Sequence, residues 1–220
     1  DEVRRLSAVF TGIVEEIGTL RSLRTTTRSA TLSVVARKVL AGTAVGDSIL
    51  TDGVCLTVTR VGGDGFDADV MPETVRRTTL AERSPGEQLN LERALTLESR
   101  LGGHLVSGHI DGVGTVLSVS PEADALVVEI DAPEAVARVS VAQGSVAVDG
   151  VSLTIVAVDG ERLRVSLIPH TAAVTTLGRL RRGTHVNLEA DLIGKYVHAF
   201  VARGKPGHGL TWEKLAEAGF

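Results

Sequence analysis

The chain carries the same run of residues twice, 97 positions apart. Residues 48–57 read SILTDGVCLT and residues 145–154 read SVAVDGVSLT, with six of the ten positions identical. Further motifs recur in the same order: MPET at 71–74 and IPHT at 168–171, TTL at 78–80 and 175–177, and an Asn-Leu-Glu run at 90–92 and 187–189. FTGIV at 10–14 also fits VSGHI at 106–110, at an offset of 96. Ordered repetition of this kind marks a tandem duplication, so units near 10–100 and 106–198 should share one fold.

Within each unit apolar and polar residues alternate, which is typical of half-buried strands. Such runs occupy 30–35, 54–59, 65–70 and 88–92 in the first unit, and 115–119, 125–130, 145–158, 162–167 and 185–189 in the second. Asp52-Gly53 and Asp149-Gly150 are hairpin-turn signals. About six strands per unit predict an all-β chain of two small closed barrels, because closure removes exposed sheet edges.

Helical patterns are brief. They cover 73–83 and 133–139, and a run from Leu192 that puts Tyr196 and Phe200 on one face and leaves Lys195 on the helix surface. A glycine-rich linker at 204–209 precedes a short helix at 211–218 with Thr211 as its cap. We expect an N-terminal extension (1–9), a first barrel (10–103), a second barrel (104–191) and a C-terminal helix with its tail (192–220).

Composition excludes several classes of function. A net charge of −4 and 3% aromatic residues argue against nucleic-acid binding. The lone cysteine, Cys55, rules out an internal disulfide and a cysteine-based metal site. Apolar stretches fall well short of the roughly 18–20 residues of a membrane helix, and no apolar signal core opens the chain, so we expect a cytoplasmic protein. His104 and His109 stand five apart without surrounding carboxylates, and no metal site is predicted.

The repeated Asp-Gly-Val-(Cys/Ser)-Leu-Thr segment is the best candidate site from the pattern alone. Its two copies differ at Cys55 and Ser152, where a thiol or hydroxyl could act in chemistry. The structural alternative is a packed hairpin strand, because a buried cysteine often behaves as a small hydrophobe. Thr57 and Thr154 also suit a strand simply as β-branched residues. The pattern leaves both interpretations open.

Six motifs resemble the signatures of the riboflavin synthase family, alpha-chain type. They are FTGIVEEIG (10–18), DGVCLT (52–57), MPET (71–74), GGHLVSGHID (102–111), VDGVSLT (148–154) and VNLE (186–189). The resemblance runs from Phe10 to about Val201 and includes the duplication. It implies two six-stranded Greek-key barrels and a C-terminal helix, assembled as a homotrimer. The site would lie between the N-terminal barrel of one chain and the C-terminal barrel of a neighbour.

The resemblance also implies a reaction, the last step of riboflavin biosynthesis. Two molecules of 6,7-dimethyl-8-ribityllumazine would dismutate into riboflavin and 5-amino-6-(D-ribitylamino)uracil by transfer of a four-carbon unit. No cofactor and no metal would take part. We expect backbone amides to bind the pteridine edge and hydroxyls to bind the ribityl chain.

The resemblance carries site residues onto this chain. The catalytic set would be Ser48, Cys55, His109 and Ser152. Substrate would be bound in a first pocket by Gly12, Ile13, Val14, Leu56, Thr57, Asp69, Val70, Met71, Pro72, Glu73 and Thr74. The second pocket would hold Gly108, Ile110, Leu153, Thr154, Ser166, Leu167, Ile168, Pro169, His170 and Thr171. Phe10 would close over a pteridine ring, and Gln143, Asp149 and Asp191 would add polar contacts.

Three features depart from the family pattern. Asp52 stands where asparagine is usual and would put a charge near the first pocket. Gln143 replaces a common lysine, and nine residues precede Phe10.

Two other functions compete with the enzyme. One is a non-catalytic lumazine- or riboflavin-binding protein of the same fold, whose members lose site residues in one half. The presence of Ser48, Cys55, Thr57, His109 and Ser152 argues against it. The other is a flavin-binding barrel of an oxidoreductase, which would need an α/β nucleotide domain that this pattern lacks. A lumazine synthase shell is a further candidate partner.

Overall fold

A computed structural model describes residues 8–26 and 29–203. These residues form two closed antiparallel barrels followed by a helix, which confirms the expected fold. The first barrel has the order β1-β2-β5-β4-β3-β6. Its strands are β1 (Glu16–Thr25), β2 (Ala30–Val35), β3 (Ser48–Thr51), β4 (Val54–Gly62), β5 (Gly65–Val70) and β6 (Gln88–Arg93).

The second barrel repeats this topology. Its strands are β7 (Gly112–Glu122), β8 (Ala125–Asp131), β9 (Ser145–Val148), β10 (Val151–Asp159), β11 (Arg162–Leu167) and β12 (His185–Ala190). They follow the order β10-β11-β8-β7-β12-β9. Adding six to each strand number of the first barrel gives the same neighbours, so the sequence repeat is also a structural repeat.

The two predicted Asp-Gly turns set which way the next strand faces. Asp52 and Asp149 both have φ of 44°, and the glycine after each is also left-handed, the conformation of a tight type I′ hairpin. After the first turn, Val54 and Leu56 point into the barrel. Because side chains alternate along a strand, Cys55 and Thr57 lie on its outer surface.

A small apolar cluster joins the barrels, which otherwise have separate cores. It consists of Phe10, Leu50, Val106 and Ala147. Phe10 is completely buried and its N–H donates to the carbonyl of Val106 at 2.8 Å. Burying such a ring contributes about 1.5–3 kcal/mol. Phe10 is therefore part of the contact between the repeats.

The helices are short, apart from the last. They are α1 (Pro72–Arg77), α2 (Glu134–Ala137), α3 (Pro169–Val174) and α4 (Leu192–Arg203). The prediction of a single helix over 73–83 is wrong, because the backbone of Thr78 is extended and a separate 3-10 turn follows it. The predicted linker at 204–209 and the helix at 211–218 lie outside the described residues. Among the described helices, none has the length and apolarity needed to cross a bilayer.

Candidate functional site

The segments that precede the two barrels cross over to the opposite repeat. The Gly12 carbonyl accepts a hydrogen bond from the N–H of Ser152 at 2.8 Å. In the same way, the Gly108 carbonyl accepts from the N–H of Cys55 at 2.9 Å. The backbone contacts thus differ from the pocket grouping expected from the sequence, since Gly12 bonds the second barrel and Gly108 bonds the first.

Apolar packing agrees with this exchange. Val14 packs against the core of the second barrel, and Ile110 packs against the core of the first. Each barrel thus presents an outer face made of its own strands plus a segment from the other repeat. We call these the first face, around Cys55, and the second face, around Ser152.

Both crossing points require glycine. Gly12 and Gly108 each have φ of 76°, in the left-handed region that glycine tolerates best. A Cβ atom on Gly108 would lie 2.4 Å from the Cβ of Cys55. A Cβ atom on Gly12 would lie 2.6 Å from the Cβ of Ser152. The glycines therefore allow the backbone to lie directly over the two candidate catalytic side chains.

A buried glutamate holds each crossing segment. Glu92 accepts from the N–H and the hydroxyl of Thr11, both at 2.7 Å, and from the N–H of Gly12 at 2.9 Å. Glu189 accepts in the same pattern from Ser107 and Gly108. Burial raises the pKa of both carboxyls. The repeated Asn-Leu-Glu motif marks both glutamates in the sequence but does not indicate this role.

The first face carries a row of polar side chains across three strands. Thr57 on β4 is paired with Ser48 on β3 and with Asp69 on β5. Beyond the end of β5, Met71 is 71% exposed and Thr74 is half-buried. Hydroxyls, a carboxylate and an apolar side chain together suit a ligand with a flat ring and a polyol chain.

Cys55 lies at the edge of this row. Burial raises the pKa of its thiol, a hydrogen bond with Ser48 lowers it in part, and the charge of Glu189 raises it further. The thiol is therefore neutral near pH 7, since its pKa lies above the ordinary value. This argues against a thiolate nucleophile.

The second face has the equivalent row, with several side chains changed. It presents Thr154, Ser166, Thr171 and a 58% exposed Ile168, the counterpart of Met71. The Ser152 hydroxyl lies 2.7 Å from Nδ1 of His104. Burial lowers the pKa of this imidazole, so it is neutral near pH 7. His104 was considered in the sequence only as a metal ligand, because nothing there showed that it meets Ser152.

The other predicted residues occupy several different environments. Leu56, Val70, Leu153 and Leu167 point into the barrel cores. Pro72 and Pro169 begin α1 and α3, Glu73 pairs with Arg76, and His170 is exposed.

Three predicted polar residues lie in turns or in the crossing segment. His109 is exposed with its Nδ1 3.0 Å from the Ser107 hydroxyl. Gln143 is exposed at a turn with φ of 66°, and Asp191 accepts from the N–H of Ile193 at the start of α4.

Phe10 and Asp149 also do not reach either face. Phe10 is fully buried between the barrels, so its ring is not open to a ligand in this structure. Asp149 is buried at the turn before β10, as is Asp52 before β4. The Asp52 carboxylate pairs with Arg83 at 2.8 Å. The charge expected near the first pocket is thus neutralised inside the protein.

A cleft of about 830 Å³ adjoins the first face. Ser48 and Ile13 both line it, together with Glu15, Asp47 and Arg93. Within residues 8–26 and 29–203, no cluster of three or more His, Cys, Asp or Glu side chains could hold a metal ion.

Known proteins share this duplication. Residues 11–94 and 107–191 each match the family described as "Lumazine binding domain". A riboflavin synthase of Actinobacillus pleuropneumoniae is 41% identical over 96% of this chain and 100% of its own length. A riboflavin synthase of Mycobacterium tuberculosis is 48% identical over 86% of this chain and 96% of its own.

Solved structures with this fold include the protein LumP. LumP complexed with riboflavin superposes with a TM-score of 0.76 and 28% identity, over 82% of this chain and 98% of LumP. LumP complexed with 6,7-dimethyl-8-(1'-D-ribityl) lumazine gives a TM-score of 0.74 at the same identity and coverage. With two copies of the domain and relatives matched over nearly their whole length, the chain belongs to the riboflavin synthase family of transferases.

Proposed function

We propose that this chain converts two molecules of 6,7-dimethyl-8-ribityllumazine into riboflavin and 5-amino-6-(D-ribitylamino)uracil by transfer of a four-carbon unit. The observation that carries the proposal is the pair of equivalent outer faces, each capped by a glycine carbonyl of the other repeat. Two copies of one substrate must react in related but unequal roles. Two homologous faces that differ at a few side chains suit that requirement.

The proposed chemistry depends mainly on positioning. Holding two reactants in register supplies several kcal/mol of a barrier without a strong acid or base. The methyl group on C7 of the lumazine is acidic by itself, so the protein has to stabilise its anion and pass protons between polar groups. Neutral Cys55 and the neutral His104–Ser152 pair are suited to hydrogen bonding of this kind.

We assign binding roles by the chemistry of each face. On the first face, Thr57 and Asp69 would bind the ribityl hydroxyls, and Met71 would pack on the ring. His109 would add a polar contact from the crossing segment. Thr154, Ser166 and Ile168 would serve in the same way on the second face. Gly12 and Gly108 would allow close approach of the ring.

We propose that the two faces meet between subunits, in a homotrimer held by α4. The support is an apolar helix face left open to solvent in the described chain. Its exposed side chains are Ile193, Tyr196, Val197, Phe200 and Val201. Contiguous exposed apolar surface of this kind usually marks an interface. Association with lumazine synthase and a location in the cytoplasm stay predictions.

Incubation with 6,7-dimethyl-8-ribityllumazine alone tests the reaction. We expect one riboflavin for every two lumazines consumed, followed by absorbance and by chromatography of the uracil product. Tight binding of the lumazine without riboflavin would reject the enzyme and support the binding-protein alternative.

A matched pair of variants tests the first face. Thr57→Val removes a hydroxyl from the polar row, while Thr59→Val removes one further along the same strand, where it bonds the Asp67 carbonyl. We expect Thr57→Val to weaken lumazine binding about tenfold and Thr59→Val to leave it unchanged. Equal changes in lumazine affinity for the two variants would show that Thr57 does not bind the substrate.

The assembly has its own test. Phe200→Glu puts a charge into the exposed apolar face of α4, and Leu97→Glu puts one at a fully exposed apolar residue outside α4. Sedimentation should show a trimer for the wild type and Leu97→Glu, and smaller species for Phe200→Glu. A monomeric wild type would refute the proposed assembly.

A further inference from the structure

The crossing segment Ser107–Asp111, which brings His109 to the first face, is tied down at its end by β12 and α4. The N–H of Asp111 donates to the Leu188 carbonyl at 2.9 Å. The Asp111 carboxylate in turn accepts from the N–H of Ala190 at 2.9 Å. Asp111 therefore fixes the point where this segment enters the second barrel.

The first repeat has the same arrangement with a different source of positive charge. Glu15 stands 96 positions before Asp111 and accepts from the N–H of Arg93 at 2.9 Å. The Arg93 guanidinium also pairs with Glu15, at 2.6 Å. The backbone donor and the cation thus belong to one residue of β6.

In the second repeat, alanine occupies the position of that arginine. The cation comes instead from α4, since Nζ of Lys195 lies 2.9 Å and 3.1 Å from the two carboxylate oxygens of Asp111. About a quarter or less of either side chain is exposed. Such a charge-assisted, partly buried pair holds its partners more firmly than a surface ion pair does.

Lys195 also acts on the second anchor of the segment. Burial raises the pKa of Glu189, the carboxylate that binds the N–H groups of Ser107 and Gly108, and the charge of Lys195 opposes part of this rise. One α4 lysine therefore pairs with Asp111 and also acts electrostatically on Glu189, the other carboxylate that holds the crossing segment. Gly108, which Glu189 holds through its N–H, accepts a hydrogen bond at its carbonyl from the N–H of Cys55.

We propose that Lys195 is a positioning residue for the first face, through which α4 holds Gly108 and His109 in place over Cys55. The proposal rests on the proposed function for the role of that face. Since the other side of α4 is the proposed subunit contact, assembly of the trimer and geometry of the site would be connected through this one ion pair.

Alkylation of Cys55 by iodoacetamide tests the proposal without depending on activity, because the chain has a single cysteine. Lys195→Met should loosen the segment and raise the alkylation rate about tenfold, the effect of losing one such pair. The same variant should lower kcat for riboflavin formation by a similar factor, with a smaller change in KM. Lys195→Arg should restore both to within about threefold.

Arg21→Met is the matched control, since it breaks an exposed ion pair with Asp64 far from α4 along the chain. Its Cys55 should be alkylated at the wild-type rate, and its kcat should equal that of the wild type.

Asp111→Asn is a second variant for the case in which Lys195→Met disturbs α4 itself, because it removes the charge of the other partner in the ion pair. Wild-type alkylation in both Lys195→Met and Asp111→Asn would overturn the proposal. Faster alkylation in a protein that forms no riboflavin would uphold the positioning role and reject the proposed function.

Discussion

Asp52 and Asp149, on the two equivalent hairpin turns, face the same guanidinium. The Nη2 atom of Arg83 lies 2.8 Å from Asp52 and 3.8 Å from Asp149. Burial raises the pKa of Asp52 to about 6, against the opposing charge of Arg83. Burial and the nearby Asp52 raise the pKa of Asp149 well above its ordinary value. One cation thus serves two buried carboxyl groups at the contact between the repeats.

Asp149→Asn should make the protein more stable at high pH. A carboxyl whose pKa is raised on folding binds its proton more tightly in the folded state, so stability falls as the pH rises from the unfolded pKa towards the raised folded pKa. Asparagine cannot ionise, yet its carbonyl can still accept from the N–H of Asn187, now 2.7 Å from Asp149. We expect a gain in unfolding free energy of about 1–3 kcal/mol at pH 8 and little change at pH 4. Urea unfolding at both pH values measures this, and an equal difference at the two would contradict it.

Arg83→Met should have the opposite dependence on pH. It leaves two buried carboxyls without their cation, which costs about 3–5 kcal/mol when they are ionised. Near pH 4 both are protonated and the loss should be smaller. Arg21→Met, at an exposed pair, should cost about 0–1 kcal/mol. A loss from Arg83→Met that does not vary between pH 4 and pH 8 would show that packing outweighs charge.

The barrels could be predicted from the sequence because period-two runs and Asp-Gly turns are local signals. The family resemblance added the site residues on each strand. Neither showed that Gly12 pairs with Ser152 and Gly108 with Cys55, because that exchange depends on how two distant repeats pack. The same limit explains Phe10, whose position beside a site motif gave no sign that it is buried against Val106.

Helix boundaries and ion pairs could not be predicted from the sequence either. Thr78 ends α1 because its hydroxyl donates to the Thr74 carbonyl at 2.7 Å and so competes with further helical turns. Lys195 was expected on the helix surface, since helical spacing does not reveal a carboxylate supplied by a segment 84 residues earlier.

Gly108→Ala should separate the crossing segment from the first face. The left-handed backbone alone costs about 1 kcal/mol with alanine, and the contact with Cys55 adds a steric cost. Gly86→Ala is the matched control, because Gly86 is also left-handed but has nothing within 4 Å of an added Cβ. We expect Gly108→Ala to lose about 2–4 kcal/mol of stability and Gly86→Ala about 1 kcal/mol. Equal losses would mean that the segment moves aside without cost.

Cys55→Ser should keep most of the activity. The raised pKa keeps the Cys55 thiol neutral, so a hydroxyl can replace it as a hydrogen-bonding group. Serine already occupies the equivalent position, Ser152, under an equivalent glycine carbonyl. We expect kcat for riboflavin formation within about tenfold of the wild type, or less than about 1.4 kcal/mol in barrier height.

Cys55→Val is the matched comparison, since it fills the space without a polar hydrogen. Its activity should fall well below that of Cys55→Ser if hydrogen bonding to the anion matters, and KM for the lumazine should change less than kcat. A loss of more than about a thousandfold in Cys55→Ser, at unchanged lumazine binding, would instead indicate a covalent role for the thiol.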